Sequence, residues 1–297
     1  MNRSLSTRDV SSEAIAEASG VMRSYHHGES RRGLTITSDR REGEEARCAR
    51  ATRRSRARLG HDASSSIPQC WSVSKVVTTP HLDVEQGLFV EGYELVGSLD
   101  EVGRGSAFGP CCVGLCVVDA TVGTVPTGLR DSKLLSSRTR DGLVAPIDSW
   151  ALDHAVGEAS AGEIDEFGLI AALRLAGYRA LSQLRVAPDI LILDGSYDWM
   201  SMPAQEPLTP VPYPDVRVAP VRTRVKADLT CASVAAASVL AKVYRDRLVM
   251  ELAEHVPGYD LENNKGYVTA SHLAALRELG PSRLHRLSWN LPTRAVS

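Results

Sequence analysis

The chain has 297 residues, 43% hydrophobic and 24% charged, with a formal net charge of −2. No stretch approaches the ~20 consecutive apolar residues of a membrane-spanning helix, and the N-terminal residues carry charges without the apolar core of a secretory signal. Six cysteines, at 48, 70, 111, 112, 116 and 231, lack the paired CxxC spacing of a zinc site and read as thiols of a reducing, cytoplasmic compartment.

Residues 1–66 are rich in Ser, Arg, Ala and Glu and show no sustained apolar periodicity. Between Arg31 and Arg58, ten Arg stand against Asp39, Glu42, Glu44 and Glu45, a local charge of +6. Such a segment buries too little apolar surface to offset its ordering entropy. Residues 1–79 are therefore expected to be a disordered Arg/Ser-rich extension and linker, either a basic arm toward nucleic acid or a solvated tail.

The texture changes at Pro80. An apolar run predicts a strand over 93–99 that ends at Asp100, and near-continuous apolar residues over 111–118 predict a buried strand. A third strand is expected over 150–157. Ile164, Phe167, Leu169, Ile170, Leu173 and Leu175 recur at helical spacing and predict one helix over 161–184. A strand over 189–193 is expected to stop at Asp194-Gly195. Pro203, Pro207, Pro210, Pro212 and Pro214 mark a loop before a strand over 216–221. A long Ala-rich helix over 229–255 and a short one over 271–279 complete the pattern. Early strands followed by alternating helices and strands predict one α/β domain on a mixed sheet over 80–297, long enough for a full core.

Carboxylates at element ends carry the chemical signal. Asp100 and Glu101 are adjacent at the end of an apolar strand, where two acids repel unless a cation lies between them. Asp194 ends the run Ile190-Leu191-Ile192-Leu193, where an unpaired buried charge is costly. Asp228 precedes a predicted helix and reads either as an N-cap or as a ligand. Glu163, Asp165 and Asp246 fall on helical faces and read as solvated or structural. Oxygen-rich clusters of this kind suit Mg²⁺ or Mn²⁺. Gly103-Arg104-Gly105 is a short loop where a backbone can approach a ligand closely, but it matches neither a GxGxxG nor a Walker A pattern. Asn264-Lys265-Gly266-Tyr267 offers a cation and an aromatic face to a sugar or base, or is a plain surface turn with a packed Tyr.

The ordered set Asp100-Glu101-Val102-Gly103-Arg104-Gly105, Arg130-Asp131-Ser132-Lys133, Leu193-Asp194-Gly195, Lys226-Ala227-Asp228, the run from Ala235 to Val243, and Lys265-Gly266-Tyr267 closely resembles bacterial ribonuclease HII. Leu279-Gly280-Pro281-Ser282 and Leu284-His285-Arg286 continue the match. The resemblance implies a ribonuclease H-like fold and an endonuclease acting on RNA–DNA hybrids and on single ribonucleotides in duplex DNA. It implies incision 5′ to the ribonucleotide, leaving a 5′-phosphate and a 3′-hydroxyl. It also puts Asp100, Glu101, Asp194 and Asp228 on the family's catalytic, metal-holding positions, with Gly103, Arg104, Gly105 and Tyr267 on its ribonucleotide-sensing elements.

The chemistry agrees with that placement. Two divalent ions ~3.5–4 Å apart stabilise both the attacking and the leaving oxygen of a phosphodiester, and carboxylates are their usual clamp. In this reading Asp100 bridges the two ions and the other three acids complete their shells. Arg104, Lys133, Lys226 and Lys265 are expected at phosphates, which position a duplex without reading sequence. Tyr267 is expected to stack on a sugar beside the 2′-hydroxyl that separates RNA from DNA.

Ser106, Ser196 and Asn264 depart from the family's frequent residues without removing an expected ligand. Residues 91–297 carry 20 Lys and Arg against 25 Asp and Glu, so positive charge must gather around a cleft. A ribonuclease HIII-like enzyme is the nearest alternative, but it implies Thr in place of Arg104, Glu in place of Asp228 and a folded N-terminal domain. A non-catalytic duplex-binding module is the rival from another class, and four intact carboxylates speak against it. The expected partners are RNA–DNA hybrids and ribonucleotide-containing duplex DNA, met by a monomer with no membrane.

Overall fold

The structure is a computed structural model that describes residues 79–204 and 209–292. The expected extension over 1–79, apart from Thr79, lies outside the described residues, as do Cys48, Cys70 and Pro207. In chain order come helix α1 (Asp83–Val90) and the hairpin β1 (Leu95–Val102) and β2 (Cys111–Asp119). A 3-10 turn (Ser132–Leu134), helix α2 (Ser137–Trp150) and strand β3 (Asp153–Ala159) follow. Next are helices α3 (Ala161–Phe167) and α4 (Leu169–Leu181), then strands β4 (Ile190–Asp194) and β5 (Val221–Arg224). Helices α5 (Ala227–Thr230), α6 (Ala232–Ala253), α7 (Leu261–Asn264) and α8 (Ala270–Leu279) close the order.

The strands form one five-stranded sheet in the order β3-β2-β1-β4-β5. β1 is antiparallel to β2 and parallel to β4, and β4 is parallel to β5, so the sheet is mixed as expected. Alternation sends Val96, Ile190 and Ile192 toward α6, and Leu99, Leu191 and Leu193 toward α4. Helix α6 sits tightly on the first face, since a Cβ on Gly114 would lie 2.2 Å from the Ala237 carbonyl. Glu85 of α1 is buried and accepts the Ser233 N–H at 2.9 Å, capping the start of α6. The four described cysteines are buried free thiols. No helix among the described residues is long and apolar enough to cross a membrane.

Several boundaries differ from the sequence expectation, each for a local reason. β1 does not stop before Asp100, because its pairing with β2 continues to Val102↔Cys112. The third strand starts at Asp153 because Trp150 is the last residue of α2, a helix masked in the sequence by Gly142 and Pro146. The single helix expected over 161–184 breaks at Gly168 (φ 80°), which ends α3 and precedes α4. The strand expected over 216–221 lies instead at 221–224, in register with Leu191 to Asp194 of β4. The helix expected over 229–255 is interrupted at Cys231, whose extended backbone bridges to His81.

Candidate active site

Because consecutive strand residues point to opposite faces, Asp100 and Glu101 splay around the end of β1. Asp100 turns toward α6, where the Ser238 hydroxyl, 2.9 Å from Ser132 Oγ, favours the charged form of its carboxylate. Asp194 lies one step beyond the Leu99↔Leu193 pair, which sets it beside Asp100. Its Oδ1 accepts the Ala227 N–H at 2.7 Å, tying the end of β4 to the start of α5. Asp228 is the next residue. It is not the N-cap allowed for in the sequence reading: Lys226 holds that position in a left-handed conformation (φ 59°), and Asp228 sits within the first turn. Asp100, Glu101, Asp194 and Asp228 are thus delivered to one end of the sheet by two strand ends and a helix start.

Crowding shapes their protonation. Burial above all, reinforced by Glu101 and Asp194, pushes Asp100 up to about 7 against the opposing influence of Ser238 and Lys133. Burial also raises Glu101, against the pull of Arg104, and raises Asp194 with help from Asp228. Lys133 Nζ stands 3.2 Å from Asp228 Oδ2 and 3.9 Å from Asp131 Oδ1. Partial desolvation of this largely exposed side chain works against the charge, but Asp100, Asp131 and Asp228 outweigh that and hold the ammonium above its ordinary range.

Three of the acids have turned to internal partners: Asp194 to an amide, Asp228 to Lys133, and Glu101 to Arg104 at 3.2 Å. Accordingly, no three acidic, His or Cys side chains among the described residues already converge as a closed metal cage. The donor set nonetheless fits a hard divalent cation, since it consists of carboxylate oxygens. Glu101 Oε2 is moreover buried without a hydrogen-bond partner, an orphan that a cation would satisfy.

Beside the acids, the loop after β1 is braced from two directions. Arg286 donates to the carbonyls of Gly103 (2.6 Å) and Arg104 (2.9 Å). Arg245 of α6 donates to the carbonyls of Phe108 (3.0 Å), Pro110 (2.9 Å) and Lys265 (3.0 Å). Both arginines are fully buried. The two glycines of the loop have different reasons to be glycine. Gly103 has φ 79°, and a Cβ there would meet Arg245 Nε at 2.1 Å, so packing alone demands it. Gly105 has nothing within 4 Å of its missing Cβ, so its backbone stays open to an approaching group.

The Tyr267 turn closes against the same loop. Ser106 bridges to Tyr267, and the Ala107 N–H donates to the Gly266 carbonyl at 3.0 Å. Asn264 is buried and holds the turn, donating to the Tyr259 carbonyl and accepting the Gly266 N–H, each at 2.7 Å. The Tyr267 ring lies 5.3 Å from the Arg245 guanidinium and 5.4 Å from Lys242 Nζ. Lys226 is exposed next to Asp228, and Arg104 stays half-exposed over Glu101. Lys265 is not brought to the acids, for its ammonium contacts the Glu262 carbonyl and Met250 Sδ. Glu163, Asp165 and Asp246 are in structural contacts with Arg179, with the 287–288 amides, and with Lys242, respectively.

The sequence reading did not single out Ser238, Arg245 or Arg286 as individual parts of this site. Arg245 had left a signal, since it falls between Ala241 and Leu248 on the apolar face of α6.

A family model described as Ribonuclease HII matches residues 97–291. A ribonuclease HII from Streptomyces griseus is 44% identical over 201 residues, 67% of this chain and 78% of that one. One from Thermus thermophilus is 43% identical over 192 residues, 65% of this chain and 84% of that one. The solved PCNA:RNase HII complex from Archaeoglobus fulgidus aligns with a TM-score of 0.51 and 23% identity, covering 68% of this chain and 98% of that chain, and shows a shared fold.

Proposed function

From the premise that the chain belongs to the ribonuclease HII family, we propose that it incises duplex DNA 5′ to a single embedded ribonucleotide. Family membership carries the coarser activity, endonucleolytic hydrolysis of RNA in RNA–DNA hybrids. The observation that carries the finer reading is the meeting of four carboxylates at one sheet end with a braced loop open at Gly105.

Asp100, Glu101, Asp194 and Asp228 would hold two divalent cations, Mg²⁺ or Mn²⁺. When bound, these would lower the pKa of the attacking water and stabilise charge on the attacking and leaving oxygens. The chain's own residues do the rest. Arg104, Lys133 and Lys226 neutralise phosphates along the duplex, and Lys265 can join them only by leaving the Glu262 carbonyl. The open backbone at Gly105 meets the 2′-hydroxyl that DNA lacks, and Tyr267 stacks on the adjoining sugar. Water attacks phosphorus as the 3′-oxygen departs, leaving a 3′-hydroxyl upstream and a 5′-phosphate on the ribonucleotide. In this proposal the catalytic domain spans 80–297 and acts as a monomer.

A DNA duplex carrying one ribonucleotide, offered with Mg²⁺ or Mn²⁺, tests the proposal. Incision 5′ to the ribonucleotide, with an all-DNA duplex left intact, is the expected result. Absence of that incision sinks it.

A further inference from the structure

The Tyr267 turn rests on two histidines that take no part in the carboxylate cluster. His272, near the start of α8, and His285 are both fully buried, with their Nε2 atoms 3.0 Å apart. His285 Nδ1 lies 3.0 Å from the Ser282 backbone nitrogen and 2.8 Å from Ser282 Oγ. His272 Nδ1 lies 3.0 Å from the Tyr267 carbonyl.

The two ends decide every proton between them. A backbone N–H only donates and a carbonyl only accepts. His285 Nδ1 must therefore accept from Ser282, which places its proton on Nε2. That proton faces His272 Nε2, which must accept in turn, so His272 carries its proton on Nδ1 and donates it to Tyr267. The rings sit among aromatics, with Phe108 edge-on to His285 at 5.1 Å and Tyr259 at 4.7 Å from His285. Of charged groups, Arg286 follows His285 in the chain, and Asp260 lies on the His272 side, where Ser271 and Asn263 hold its carboxylate. Burial, followed by repulsion from His272, pushes His285 down to about 4, so it stays neutral near pH 7.

The pair also joins the two segments that frame the glycine loop. His285 bridges to Phe108 through the backbone, and the following residue is the Arg286 that clamps Gly103 and Arg104. We propose that His272 and His285 are positioning residues for ribonucleotide selectivity, their one-way relay fixing the offset between the Tyr267 turn and the Gly103-Arg104-Gly105 loop. This rests on the reading of Tyr267 as a sugar-facing side chain.

The test compares kcat/KM on two substrates, a duplex with one embedded ribonucleotide and a continuous RNA–DNA hybrid. His272→Leu removes the donor to the Tyr267 carbonyl and is expected to lose about tenfold on the first substrate while staying within about twofold on the second. His272→Asn, whose Nδ2–H stands in for the Nδ1–H, is expected to recover most of the loss. Equal losses on both substrates, or an Asn variant as impaired as Leu, overturn the proposal.

Imidazole nitrogen NMR on the unaltered protein needs no variant to fold. It should find one ring protonated on Nε2 and the other on Nδ1, with His285 unchanged between about pH 5.5 and 8. Two Nε2–H rings overturn it as well. Failure of the unaltered protein to cut the ribonucleotide duplex sinks the functional reading and this role with it. Unchanged selectivity in a cutting His272→Leu protein sinks the relay alone.

Discussion

At the ends of β1 and β4, carboxylates crowd together with Glu101 Oε2 unpartnered and Asp100 pushed up to about 7. Under the neighbouring loop, Arg245 and Arg286 are just as deeply buried, yet their guanidinium groups are spent on backbone carbonyls. The first region holds charge in a state that a cation would relieve. The second has discharged its electrostatic demands internally and so holds a shape. The proposed function asks for both, and the two demands fall on separate groups of this chain.

The largest expected effect separates the two regions by activity. Asp194→Asn removes one oxygen donor from the cluster and should cut incision of the ribonucleotide duplex about a thousandfold. Its folding stability without metal should hold or rise, because a repelling carboxylate is gone. Arg286→Met inverts this pattern. It leaves the Arg104 carbonyl without its donor and the Gly103 carbonyl with the Ser106 N–H alone, and should cost about 3 kcal/mol in urea denaturation. Calorimetric titration of Mn²⁺ onto that variant should remain close to the unaltered protein, since the carboxylates are untouched. A variant that keeps its stability would show that the clamp is not needed to hold the loop.

The glycines sharpen the contrast on a smaller scale. Gly103→Ala forces a Cβ into Arg245 at a positive φ and should destabilise the fold by about 2 kcal/mol. Gly105→Ala meets nothing within 4 Å and should leave stability within about 0.5 kcal/mol while lowering incision. Full activity in Gly105→Ala would remove the backbone of that residue from substrate recognition.

The smallest effect is a pH slope. In metal-free protein, folded Asp100 keeps its proton to about 7 while its ordinary value is 3.8, so the folded state binds more protons in between. Its contribution to stability is therefore lost as pH rises through that window. His285 acts in the opposite sense: its folded value is about 4 against 6.5, so stability is lost as pH falls between them. Asp100→Asn should thus turn the slope upward by on the order of 1 kcal/mol per pH unit. Urea melts in a chelator between about pH 5 and 7 would read it, and added Mg²⁺ should shift the unaltered protein in the same direction.

Sequence legibility followed the range of the forces involved. The buried strand at β2 and the acids closing β1 and β4 were readable because apolar runs and their ends are local. Helix α2 was not, because Gly142 and Pro146 read as breakers while its anchors, Leu143 and Ile147, are buried by tertiary packing. The breaks at Gly168 and Cys231 escaped notice because helical spacing continues across both, and only the bridge from His81 fixes the second. Asp228 was placed correctly beside a helix start, and of its two readings only the N-cap is excluded, since Lys226 holds that position. The arginine clamps were the least legible part, since a cation reads as surface until the carbonyls it serves are known.

Arg286 lies 183 residues downstream of Gly103, the loop glycine that it clamps. On the ribosome, all four carboxylates leave the exit tunnel well before that clamp does. A nascent chain therefore presents its four clustered acids early and the side chain that braces the glycine loop late. A chain that ends between Asp228 and Arg286 carries all four acids without the side chain that holds the Gly103 and Arg104 carbonyls.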